Sequence, residues 1–280
     1  EFVNCIICNS KDDFKLIESV RDRFSTQDSY NILECHCGMV MLNPRPNSSE
    51  IVKHYDIPDY QPHYKKNNLL NIFYKIAQFI NNRSKISIIK KYFKQGSLLD
   101  FAGGDGQFNN YMISKKWDSV YYEPHLEKKE NHHINDIDKL KGKNFDVVTM
   151  FHSIEHLHSV HESLDNIYHL LRRKGVLILS FPNYNAYEKG FFKESWIAYD
   201  APRHLYHFNI KSIEDLLIQK NFEILQSKAV YLDTFYNIIM SSDKFYKRIL
   251  IVPFQIINSI YNIFIDKGVA SSILLVCKKK

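Results

Sequence analysis

"LLDFAGGDGQF", residues 98–108, is the stretch from which the rest of the chain can be read. The 280 residues include only 9 glycines, yet positions 103, 104 and 106 are all glycine. A short apolar run ends in Asp100, small residues follow, and a helical pattern opens after them. That order is a strand, a tight turn and a helix. Small residues let a backbone turn sharply and come close to a ligand. The helix behind them offers free N–H groups. No Lys-Ser/Thr pair closes the loop, so it is not the phosphate loop of nucleotide hydrolases. Asp100 sits inside the turn, where it repels a pyrophosphate and attracts a cationic or amino-bearing ligand. Asp100, Ala102, Gly103, Gly104 and Gly106 are therefore candidate cofactor contacts.

Working outward, the pattern alternates. Residues 69–94 place Leu69, Ile72, Phe73, Ile76, Phe79 and Ile80 at helical spacing. "DSVYYEP" (118–124), "FDVVTMF" (145–151) and "GVLILSFP" (175–182) read as strands, with "HHIND" as a short one. Helices are expected at 107–116, 160–173 and 211–221, and strands again at "FEILQSKAVY" and "SSILLVCKK". Strands alternating with helices imply an α/β fold with a mostly parallel sheet covered on both faces. Glu123 ends the strand after the glycine loop, 23 residues beyond Asp100. An acid there can accept both ribose hydroxyls of a nucleoside. Asp136 and Ile137, after the third strand, can hold and cover an adenine.

Five segments carry a resemblance in order and spacing: "LLDFAGGDGQF", "YYEPH", "FDVVTMFHSIEHL", "RRKGVLILSFPN" and "APRHLYHFNIKSIEDLL". Over roughly residues 85–230 the chain resembles a class I S-adenosylmethionine-dependent methyltransferase. The likeness is to a subgroup with an N-terminal zinc module and a "PRHLxHF" segment. It implies a Rossmann-like, seven-stranded sheet with S-adenosylmethionine across the strand ends. Asp100, Gly104 and Gly106 match the cofactor loop, Glu123 the ribose acid, Asp136 the adenine side and Phe151 the position after strand four. Ala102 stands where such proteins usually carry Gly. A negative φ is expected there, which Ala accepts.

Cys5-x2-Cys8 and Cys35-x-Cys37 form two pairs in the first 37 residues. Four thiolates can surround Zn²⁺, and a closed shell of four cysteines is structural. A metal-folded ribbon over 1–45 is expected, then a helical lead-in at 46–95 and a methyltransferase domain at 96–280 with a helical insertion at 233–267. Between the outer cysteines, four basic residues face six acidic ones. That is the wrong balance for a nucleic-acid surface. Formal charge over the whole chain is +6, too mild for a nucleic-acid tail.

Methyl transfer needs a positioned acceptor and, for a hydroxyl, a group to take its proton. His152 and His204 are the candidates, because both follow strand ends and His titrates near neutrality. Arg203 is read as an anion clamp, and Tyr184, Tyr187, Trp196 and Tyr199 as an acceptor wall. The expected acceptor is a small molecule, possibly a sugar nucleotide, with O-methylation as the simplest transfer. An RNA or tRNA methyltransferase and a non-catalytic ribbon scaffold are the rival readings. Residues 249–265 are too polar for a confident span and can serve as a membrane-surface or homo-oligomer contact. A reducing, cytoplasmic location is expected from the absence of a secretory signal.

Overall fold

A computed structural model describes residues 1–55, 68–126, 130–242 and 245–280. The first sheet is antiparallel and begins with β1 (Phe14–Arg21), β2 (Ser29–Cys35) and β3 (Val40–Leu42). A 25-residue helix, α1 (Asn68–Tyr92), leads into the second sheet. That sheet then builds in alternation: β4 (Ser97–Phe101), α2 (Gln107–Ser114), β5 (Asp118–Tyr122), β6 (His133–Ile134), β7 (Phe145–Phe151), α3 (Val160–Leu170) and β8 (Leu171–Pro182). A single turn, α4 (Lys189–Phe192), precedes β9 (Tyr206–His207). The chain closes with α5 (Ile210–Gln219), β10 (Phe222–Ala229), α6 (Tyr231–Ser241), α7 (Phe245–Ile265) and β11 (Ser272–Lys279).

The large sheet has seven strands in the order β10-β11-β8-β7-β4-β5-β6. Strands β8, β7, β4, β5 and β6 run parallel, and β11 is antiparallel to both of its neighbours. The expected methyltransferase-like α/β sheet is what forms. Strand β7 shows why: "FDVVTMF" is apolar almost throughout, as a strand covered on both faces must be. Neighbouring residues point to opposite faces. Leu99, Val148, Leu177 and Leu179 pack into one core with α3 and α5, and Leu98, Val147, Val176 and Ile178 into another with α1 and α2. Helix α5 is started by a reciprocal cap, in which Ser212 N donates to Asn209 Oδ1 at 2.8 Å and Asn209 N to Ser212 Oγ at 3.0 Å.

One prediction shifts. The helix expected at 160–173 stops at Leu170, and β8 begins at Leu171. Arg172, Arg173 and Lys174 extend that strand in an exposed stretch, where Arg172 pairs with Asp146 at 2.5 Å.

The small sheet is not a separate ribbon. Its fourth strand is β9, paired antiparallel to β3 through Val40–His207 and Met41–Tyr206. Arg45 Nη1 donates to Tyr206 Oη at 2.7 Å, and His161 Nε2 bonds the Ile6 carbonyl at 2.7 Å. The ribbon is thus welded over the strand ends of the large sheet. Helices α6 and α7 lie between β10 and β11. Phe254, Ile257, Tyr261 and Phe264 line an exposed stripe of α7. Among the described residues, no helix is long and apolar enough to cross a membrane.

Candidate active site

The glycine loop follows β4 as expected, but its backbone is more contorted than the sequence suggested. Ala102, Gly104 and Gly106 have φ of +54, +56 and +79. Gly106 caps α2, and a Cβ there would lie 2.8 Å from the Tyr121 ring. Gly104 N donates to Glu123 Oε2 at 3.1 Å, so the loop and the acid that ends the next strand are tied together. The negative φ expected for Ala102 is overturned. A non-glycine residue in this left-handed region costs about 1–2 kcal/mol. His152 (φ +51) and Asp200 (φ +31) share that strain, which concentrates at functional sites.

Asp100 is buried beneath the loop and accepts from Thr149 Oγ1 at 2.7 Å. Burial pushes its carboxyl up to about 6, against the Thr149 bond and the nearby Lys85. A cavity of about 480 Å³ opens above it. Asp100, Ala102, Gly103, Gly104, Phe151 and His152 all line this cavity. Glu123 borders it through Gly104. Burial lifts its carboxyl above the ordinary range. Gly106 contributes by shaping the turn rather than by lining the cavity. Asp136 follows β6, where its side chain accepts from Asp138 N at 2.9 Å, with Ile137 half-buried beside it. Neither Asp136 nor Ile137 lines the cavity.

Two elements supply lining residues that the sequence reading missed. Helix α1 brings Asn81, Asn82 and Lys85, and α6 brings Leu232, Asp233 and Tyr236. Lys85 Nζ lies 4.0 Å from the Phe151 ring centroid and 5.4 Å from that of Phe108, a cation–π arrangement. Burial lowers its pKa while Asp100 and Asp233 oppose the shift. Nothing in a helical pattern marks one lysine out from its solvated neighbours. A second cavity of about 220 Å³ adjoins the first and shares Asn81, Lys85, His152, Leu232 and Asp233 with it.

His152 sits between two carboxylates. Its Nε2 is 2.9 Å from Asp233 Oδ2 and its Nδ1 is 3.6 Å from Glu155 Oε1. Burial alone would lower its pKa, but the two acids outweigh that and raise it to about 10. A ring that is already protonated has no lone pair with which to take a proton.

His204 does not join His152. It stacks edge-on against His156, with ring centroids 4.6 Å apart. His156 Nδ1 lies 3.0 Å from both the Arg203 carbonyl and the Tyr55 hydroxyl. Burial and the neighbouring His204 push His156 down to about 4, leaving it neutral. Glu155 lies between the two histidine groups, 1% exposed.

Two expectations fail on burial. Arg203 is fully buried, bonded to Asp200 at 2.5 Å and to the His54 carbonyl at 3.2 Å, with Asp22 at 3.6 Å. It locks the ribbon to the sheet and cannot clamp a ligand. Trp196, Tyr199 and Tyr184 are core residues under the ribbon, and only Tyr187 is exposed. The aromatic wall does not exist.

The four N-terminal cysteines converge. Cys5 and Cys37 sulfurs are 3.5 Å apart, as are those of Cys8 and Cys35, and all four lie within 4.8 Å of one another. A tetrahedral Zn–S shell has edges of about 3.8 Å, so the thiols fit such an ion.

A family described as a methyltransferase domain matches residues 70–227. Among solved structures, a SAM-dependent methyltransferase from Archaeoglobus fulgidus aligns at TM-score 0.49 and 17% identity, over 72% of this chain and 94% of its own. The 1,6-didemethyltoxoflavin-N1-methyltransferase of Burkholderia thailandensis aligns at TM-score 0.46 and 15% identity, over 71% and 78%. A S-adenosylmethionine-dependent methyltransferase from Clostridium acetobutylicum aligns at TM-score 0.44 and 12% identity, over 76% and 99%. No curated protein matches the chain. The family match spans more than half of the sequence and includes the glycine loop, Glu123 and both histidine groups. The chain belongs to this methyltransferase-domain family and is a class I S-adenosylmethionine-dependent methyltransferase.

Proposed function

We propose that the enzyme methylates a hydroxyl of a small polar acceptor, a sugar or nucleotide-linked sugar. The cofactor supplies an electrophilic methyl group on a sulfonium. The acceptor oxygen attacks that carbon, the carbon–sulfur bond breaks, and the acceptor proton must leave. The observation that carries the reading is the Glu155–His156–His204 array with the Tyr55 hydroxyl at its edge. It is a compact, largely buried polar cluster near His152, able to draw off a proton from a hydroxyl brought against it. His152 stays cationic between Asp233 and Glu155 and acts as a positioning residue. The acidic balance of the ribbon disfavours an RNA acceptor.

Release of S-adenosylhomocysteine with nucleoside-diphosphate sugars, set against tRNA and peptide acceptors, tests the reading. Turnover with a sugar nucleotide alone is expected. Turnover confined to RNA or peptide would overturn it. His204→Gln is expected to lower kcat about 10²- to 10⁴-fold while S-adenosylhomocysteine still binds.

We further propose that Cys5, Cys8, Cys35 and Cys37 hold a structural Zn²⁺. The convergence of their sulfurs supports this. Stripping the metal with a strong chelator should unfold β1–β3 and expose the thiols to a colorimetric reagent. Thiols that react at the same rate with and without chelator would sink the assignment.

A further inference from the structure

We propose that Glu155, His156 and His204 form a second cation site, one that takes a divalent transition-metal ion on the acceptor side of the reaction centre. One ligand atom from each residue lies within 4.8 Å of the other two.

Three observations carry the inference. The first is the hydrogen bonding of the rings. His156 Nδ1 faces the Arg203 carbonyl at 3.0 Å, and His204 Nδ1 faces the Ala198 carbonyl at 2.8 Å. A nitrogen facing a carbonyl oxygen carries the hydrogen, so in each neutral ring the lone pair sits on Nε2. A ring fixed by a backbone carbonyl with its other nitrogen bare is the usual state of a metal-ligating histidine. The second is the Glu155 carboxylate. It is 1% exposed, and among the described residues neither of its oxygens has a hydrogen-bond partner. Its charged neighbour is His152 Nδ1 at 3.6 Å, which is an ion pair beyond bonding distance. A buried carboxylate left this way calls for an ion or water. The third is the position of Asp200. Its Oδ2 lies 3.8 Å from His204 Nε2. That oxygen also accepts from Arg203 Nε at 3.1 Å, and an anionic oxygen beside the ring favours a cation on its Nε2.

Two imidazoles and one carboxylate suit zinc and its first-row neighbours better than magnesium or calcium, which favour oxygen-only shells. A tetrahedral shell with bonds of about 2.1 Å has edges of about 3.4 Å, so binding draws the three side chains slightly together. Three protein ligands leave coordination positions open. An acceptor hydroxyl taking one of them becomes more acidic. That last step rests on the sugar-hydroxyl reading above, whereas the site itself does not.

The test is a metal count on the full chain, stripped and then reloaded with zinc or cobalt. Two equivalents of zinc are expected, one in the cysteine site and one here. Glu155→Gln and His204→Gln should each drop the count to one, with circular dichroism and melting like the wild type. Cobalt separates the sites without any variant. Cysteine-bound cobalt gives an intense thiolate charge-transfer band, and a second equivalent should add visible absorption with no further thiolate band. One equivalent of zinc in the wild type, a second equivalent that survives in both variants, or a cobalt titration ending with the thiolate band overturns the proposal. The count needs no acceptor. A failed sugar screen with two bound ions rejects only the acceptor reading, and sugar turnover with one bound ion rejects only this site.

Discussion

The cavity above Asp100 and the histidine cluster both adjoin the residues that follow β7, and they are built differently. One wall of the cavity is backbone, a loop of small residues with Ala102, Gly104 and Gly106 at positive φ and one buried carboxylate beneath it, while side chains of α1 and α6 close the rest. The cluster is made of side chains. Asp22, His54, Arg203, Asp200, His204, His156 and Glu155 pass contacts from the ribbon toward His152 and Asp233. A backbone cradle recognises a ligand part that never changes. A side-chain network can be re-specified residue by residue, which suits the variable half of a two-substrate reaction. Changes on the cluster side should therefore disturb the joint between the sheets, and changes on the loop side should act on the cofactor.

The largest effect is expected from Arg203→Leu. It removes the arginine that bonds Asp200 and faces the buried Asp22, and breaking such a pair costs about 3–5 kcal/mol. Urea denaturation measures this. A loss below about 1 kcal/mol, the range of an exposed pair, would show that the network does not hold the ribbon down. Gly106→Ala comes next. It places a Cβ against the Tyr121 ring at a φ of +79, costing about 2–4 kcal/mol. Calorimetry should also show S-adenosylhomocysteine binding weakened, and unchanged binding would detach the loop from the cofactor.

Asp100 gives a pH signature. Its carboxyl sits near 6, so it becomes neutral below that pH and stops attracting a cationic ligand group. Affinity for S-adenosylhomocysteine should fall as pH drops through 6, by at most about tenfold per unit. Asp100→Asn should bind more weakly at about pH 7.5 and lose that dependence. Stability without ligand runs the other way. The folded pKa is raised, so the stability linked to the neutral form is present below about pH 4 and is lost as pH rises through about 6. The smallest effect is a gain. Ala102→Gly relieves a left-handed backbone and should stabilise the protein by about 1 kcal/mol. A loss of stability in thermal melts would mean that the Ala methyl packs usefully.

The same contrast explains what the sequence made legible. A backbone cradle is local, so Asp100, the glycines and Glu123 could be read from one turn and the strand after it. The seven-stranded sheet was legible for a similar reason, since runs such as 145–151 and 175–182 are apolar throughout. The cluster draws on residues near 22, 54, 155, 204 and 233, and no short-range pattern joins them. Arg203 looked like a ligand clamp because nothing local shows that its pair with Asp200 is buried against distant Asp22 and the His54 carbonyl. Trp196 and Tyr199 looked like a surface wall because 3-10 turns have no apolar period, although both are buried. Lys85 was one lysine among several on a long helix. The sign of φ at Ala102 was hidden because nothing in its identity announces it.

Strand β9 has a consequence for how the chain is made. The edge of β3 finds its partner more than a hundred and sixty residues later, at Tyr206 and His207. A ribosome therefore delivers the first three strands long before the fourth, with apolar Val40, Met41 and Leu42 waiting at an open edge. The ion proposed for the four cysteines would brace those strands in the interval. The ribbon leaves the ribosome ahead of the large sheet and is finished only after most of that sheet has followed it.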